Sequence, residues 1–210
     1  MTQAEYKAVL ARYLPQAAVD AVYDFIVENN VYMRITRERR SKLGDYRWPT
    51  PRHNYHEITV NGDLNPYLFL LVLLHEAGHL DCRLLHGGTV QPHGHEWQQC
   101  YLQRIAQFVG LGAFPADVVP LLERYCRTMP LNRRMGTEIE NRLHRYDPGY
   151  VEQENITLNE LQPGDCFRIV KRPAICFRAV ARQRTRWKCQ DTATGLFYLV
   201  AGNAVVEPVD

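Results

Sequence analysis

Apolar side chains recur at helical spacing through most of the first 127 residues and in short alternating runs after residue 157. Thr2 with Glu5 forms a capping-box pattern that opens one helix, and Pro15 opens a second that ends near Asn29 and Asn30. Residues 31–37 and 56–60 are β-branched and alternating, which predicts two strands of a small antiparallel sheet. The stretch between them, residues 41–55, carries Gly, Asp and two prolines and reads as loop. Asn65 can cap, and Pro66 can start, a helix through Leu85 whose first half is apolar on nearly every side. Such a helix has to be buried. A loop over residues 86–94 then leads into a helix marked by Trp97, Tyr101, Ile105 and Phe108, and a further helix covers residues 115–126.

From residue 157 the period changes to that of strands, punctuated by Pro-Gly, Arg-Pro and Thr-Gly. The expected organisation is α+β: a helical domain with a small sheet over residues 1–127, an Arg-rich linker over 128–156, and a small β-barrel of SH3-like size over 157–210.

Composition adds limits. With 210 residues and 46% hydrophobic content the chain can bury a substantial core. The longest apolar run, Tyr67 to Leu74, is far shorter than the roughly 20 residues a membrane helix needs, and Glu5 and Lys7 interrupt any signal-like start. A cytoplasmic protein without a membrane partner, monomeric by default, is expected. Six cysteines at positions 82, 100, 126, 166, 176 and 189 lack C-x-x-C spacing, so reduced thiols are expected rather than a zinc ribbon or redox pair. The net charge of +2 is uninformative, but its distribution is uneven. Arg34, Arg37, Arg39, Arg40, Lys42, Arg47 and Arg52 crowd one stretch, and residues 168–188 hold a second basic run without an acid.

The chemistry concentrates in His75-Glu76-Ala77-Gly78-His79, an H-E-x-x-H within the buried helix. Residues four apart share a helical face, so both imidazoles can reach one zinc ion, and Glu76 is placed to act as general base and then acid. With this composition, such a motif arises by chance in roughly two of a hundred sequences. The third ligand stays open at this level. A metzincin spacing would need Gly at 82 and His at 85, where this chain has Cys82 and Leu85. His93, His95 and Glu96 compete for the position, and His86 is one residue off register.

Taken together, Ser41-Lys42-Leu43-Gly44-Asp45-Tyr46-Arg47, Ile58-Thr59-Val60-Asn61, Leu64-Asn65-Pro66-Tyr67, His75 to His79 and His93-Gly94-x-Glu96-Trp97 resemble the SprT-like, or Spartan-type, metalloprotease family. The likeness covers approximately residues 31–108. It implies a zincin-like domain, a third zinc ligand at His93, and cleavage of proteins associated with or crosslinked to DNA. It also gives Arg37, Arg39, Arg40, Lys42 and Arg47 a role in contacting single-stranded DNA. Many members of the family end in a zinc ribbon, which the unpaired cysteines here do not provide. In its place Arg184, Arg186, Trp187 and Lys188 combine cations with an aromatic, the composition of a single-strand-binding surface; the alternative is an ordinary barrel whose aromatics form its core and whose basic residues face water. Two rival readings follow from the same residues. One is a zinc peptidase indifferent to DNA; the other is a non-catalytic nucleic-acid-binding protein whose structural zinc takes His95 or Cys82 as its fourth ligand.

Overall fold

In the computed structural model, residues 2–39, 41–150, 156–170 and 172–209 are described, and the chain folds as two compact units, Met1–Tyr150 and Val151–Asp210. Among the described residues no helix is long and apolar enough to cross a membrane.

The first unit opens with α1 (Gln3–Leu10), where Thr2 and Glu5 form the expected capping box, and α2 (Val19–Glu28). Three strands follow: β1 (Val31–Thr36), β2 (Gly44–Arg47) and β3 (His56–Asn61), in the order β1-β3-β2. The sheet is mixed rather than antiparallel, since β1 runs parallel to β3 and only β2 runs antiparallel to it. The short strand β2 lies where a loop was expected. Its four residues are too few for alternation to show, and the hydrogen bonds of the buried β3 make it a strand.

The long helix α3 (Pro66–His86) is capped by Asn65, whose Oδ1 accepts from the backbone N–H groups of Tyr67 and Leu68 at 3.1 and 3.0 Å. Leu68, Phe69, Leu70, Leu73 and Leu74 are all at most 2% exposed, so α3 forms the core against which α4 (His95–Gly110) and the sheet pack. Next come α5 (Val119–Cys126) and α6 (Arg133–Leu143).

Helix α6 occupies much of the expected linker. Met135, Ile139 and Leu143 recur every four residues along an otherwise polar segment, and Ile139 and Leu143 are fully buried in the main core. Asn65 Nδ2 donates to the Leu143 carbonyl at 2.9 Å and to Asp147 Oδ1 at 2.6 Å, tying the start of α3 to the end of α6. The first unit therefore extends beyond residue 127, to Tyr150. Residues 151–155 of the expected linker lie outside the described residues.

The second unit holds β4 (Cys166–Ile169), β5 (Arg172–Arg182), β6 (Arg186–Asp191), β7 (Phe197–Ala201) and β8 (Val206–Val209). They form one antiparallel sheet in the order β7-β6-β5-β4-β8, packed on a small core of Phe167, Phe177, Trp187 and Leu158. It is not the closed barrel that was expected. Strands β7 and β8 are its two edges, and closure would require them to pair. Strand periodicity reports which residues face inward, not which edges meet.

Candidate active site

Residues 75 and 79 lie one turn apart on α3, and their imidazoles meet that of His93 from the turn preceding α4. His93 Nε2 is 3.1 Å from Nε2 of His75 and 3.1 Å from Nε2 of His79. All three ligand atoms lie within 4.8 Å of one another, a group that could hold a metal ion. Neither His86, His95, Glu96 nor Cys82 belongs to it. His95 and His86 are exposed at helix ends, and Cys82 is buried.

His93 reaches the site by an uncommon backbone conformation. Gly94 N–H donates to the Gln91 carbonyl at 2.9 Å and closes a turn with Pro92 second and His93 third, and His93 has φ 60°. A positive-φ residue after proline is the pattern of a type II turn, which ordinarily selects glycine or asparagine. Gln98, on the first turn of α4, holds this turn: its Nε2 donates to the His93 carbonyl at 3.1 Å, and its Oε1 accepts from Leu131 N–H at 2.8 Å. Sequence reading missed Gln98, because nothing in its spacing marks it.

Trp97 supports the imidazoles from below. It is 4% exposed, and its ring centroid lies 4.6, 5.0 and 4.6 Å from those of His75, His79 and His93. Gly78 makes this possible. A Cβ there would stand 3.1 Å from Tyr101 Cα, tighter than ordinary contact, so glycine lets α4 approach α3 this closely without either helix giving way.

Burial, helped by the neighbouring His79 and His93, lowers the His75 pKa to about 3, and burial with His93 lowers that of His79 to about 4. Burial also lowers His93. The imidazoles are therefore neutral at neutral pH, with lone pairs free for a cation.

Glu76 is 7% exposed and faces the same cleft, which encloses about 540 Å³ between α3, β2 and the loop before α4. Burial first, then the Asp45 carboxylate, push its pKa up to about 7, against the opposing pull of Lys42, Arg39 and the Tyr46 backbone N–H. Strand β2 passes directly over it: a Cβ on Gly44 would lie 2.5 Å from Glu76 Oε1. Tyr46 and Trp48 continue this wall, with the Arg83 guanidinium 4.8 Å over the Trp48 ring.

The expected nucleic-acid contacts divide by environment. Arg39 is tied inward, its Nε donating to Asn61 Oδ1 at 2.8 Å and its Nη1 to Thr59 Oγ1 at 3.1 Å. It fastens the β1–β2 connection rather than facing a ligand. Lys42 pairs with Asp45 at 2.7 Å, and Arg47 with Asp45 at 3.0 Å, while Arg37 is exposed. Arg40 lies outside the described residues.

In the second unit Trp187 is 3% exposed and donates from Nε1 to Asn159 Oδ1 at 3.2 Å. It is a core residue and not a stacking platform, because alternation along β6 turns it inward while Arg186 and Lys188 face out. Arg184 is exposed as well, and Lys188 sits 4.2 Å over the exposed ring of Phe197, an aromatic the sequence reading passed over. Compared with protein-family models, with curated proteins and with solved structures, the chain matches none.

Proposed function

We propose that the first unit is a zincin-like, zinc-dependent protease that hydrolyses peptide bonds, and that its substrates are DNA-associated or DNA-crosslinked proteins. The observation that carries this reading is the convergence of three neutral imidazoles in one cleft with a buried carboxylate. Tetrahedral zinc with nitrogen ligands at 2.0–2.1 Å separates those nitrogens by about 3.3 Å, and the two 3.1 Å separations here suit that donor set. His75, His79 and His93 would hold the ion. Bound zinc supplies Lewis acidity, which acidifies water and polarises a carbonyl oxygen.

The remaining work falls to side chains. Glu76, with its pKa raised to about 7, takes a proton from the attacking water and returns it to the leaving amine, since a group poised near the working pH can do both. Trp97 and the His93 turn fix the imidazoles. The cleft beside β2 receives the polypeptide. A ligand group of three among the described residues also favours catalysis over a structural site, which takes four protein ligands.

DNA dependence rests on the family resemblance and the basic stretch before β2. A DNA-indifferent peptidase is the second reading, favoured by the ion pairs that occupy Arg34, Lys42 and Arg47. The deciding experiment compares cleavage of a protein crosslinked to single-stranded DNA with the same protein uncrosslinked, using zinc-loaded wild type and Glu76→Gln. Cutting by wild type only, with preference for the crosslinked form, supports the proposal. Equal cutting of both forms selects the second reading, and cutting by zinc-loaded Glu76→Gln refutes the mechanism.

A further inference from the structure

A second cavity, of about 730 Å³, lies on the other side of the histidine group, walled by α3, α4, α5 and α6. It shares His75, His93 and Trp97 with the cleft beside β2, so a chain lying across the histidines places neighbouring residues in both. Leu71 and Ile139 form apolar wall. Tyr101 and Tyr125 line it too; they are 6% and 8% exposed, and among the described residues neither hydroxyl makes a hydrogen bond. The rings are packed, but both hydroxyls are open to the cavity, a space large enough for a ligand group.

Glu140 brings a carboxylate to the rim, without an ion pair among the described residues. After burial, that carboxylate is the next cause raising the Tyr125 phenol, which places its charge near the hydroxyl. Arg133 lines the far end, seven residues and about 10 Å away along α6. Gly136 stands between them in mid-helix, where glycine is the poorest helix former after proline. A Cβ there would meet only Tyr125 Oη, at an ordinary 3.6 Å, so the missing side chain widens the cavity without relieving a clash.

We propose that this cavity is a subsite that takes a lysine or arginine side chain of the polypeptide substrate beside the bond being cut. The inference rests on the protease reading above. The apolar walls suit the methylene stem, and the phenol oxygens and the Glu140 carboxylate accept hydrogen bonds from the cationic head.

The test maps the cuts that the zinc-loaded full chain makes in an unfolded protein, with single-stranded DNA present, for wild type, Glu140→Lys and Gly136→Leu. In wild type, Lys and Arg should occur at one fixed position beside the cut above their frequency in the substrate by up to about fivefold, the upper end of what an exposed ion pair supports. Glu140→Lys should erase that preference and favour Asp and Glu. Gly136→Leu, folded with a melting temperature at or above wild type, should lose the preference for long side chains. Cuts without basic preference, or a preference that survives Glu140→Lys, overturn the subsite and leave the protease reading standing. No cuts by the zinc-loaded wild type overturn both.

Discussion

Replacing Gly44 by alanine tests whether β2 holds Glu76, the proposed catalytic carboxylate, in place. The added Cβ would lie 2.5 Å from Glu76 Oε1, 2.9 Å from Glu76 Cγ and 2.8 Å from Val72 Cγ1, all closer than real Cβ atoms come to a neighbour. Glu76 has little room to retreat at 7% exposure, so either β2 lifts from α3 or the carboxylate swings away. Overpacking of this kind costs about 1–3 kcal/mol, or roughly 2–12 °C in Tm for a unit of this size. Displacing a catalytic group by about 1 Å costs on the order of a hundredfold in rate. Gly44→Ala should therefore bind zinc as wild type does, because no ligand is touched, while kcat/KM for a protein substrate falls about a hundredfold.

A double-mutant cycle isolates the cause. In the Glu76→Ala background two of the three short contacts vanish, so the stability cost of Gly44→Ala should shrink by about half, the Val72 contact remaining. Unchanged activity and Tm in Gly44→Ala, or an equal stability cost with and without the Glu76 side chain, would refute the reasoning.

Three further outcomes are expected. His93→Gly relieves the positive-φ conformation but removes a ligand, so the metal-free protein should be as stable as wild type or more so while zinc affinity, measured by competition with a chelator, falls by at least about tenfold. Gln98→Ala frees the His93 turn from Leu131 and should weaken zinc binding about 10-fold or more by the same assay, with the fold intact by circular dichroism. In the metal-free protein, His75 stays neutral to about pH 3 when folded but titrates near its ordinary 6.5 when unfolded, so the unfolded chain binds the proton first. Stability should therefore drop as pH falls from about 6.5 toward 3, and denaturant titrations should show His75→Gln losing less of it between pH 7.5 and pH 5.

The candidate metal ligands His75 and His79 and the Glu76 carboxylate beside them were legible because they sit on one helix, where spacing in sequence is spacing in space. Spacing narrowed the third position only to His93, His95 and Glu96, and it was the family resemblance that singled out His93. Its place depends on a turn whose backbone breaks the usual residue preference, and residue order does not report φ. The basic residues illustrate the opposite limit. The resemblance made Arg39, and composition made Trp187, candidate nucleic-acid contacts, yet Arg39 bonds to Asn61 and Thr59, and the pleat of β6 turns Trp187 into the core.

Residue order alone sufficed to read the long buried helix, its Asn65 cap, the H-E-x-x-H motif and the change from helical to strand period near residue 157. All are local: each follows from side chains within a few residues of one another. That β2 covers Glu76, that α6 joins the first core, that Gln98 anchors the His93 turn and that the second sheet stays open are legible only in the folded chain. Those features join residues far apart in the chain, and their energies come from packing and hydrogen bonds that exist only once the distant partners have met.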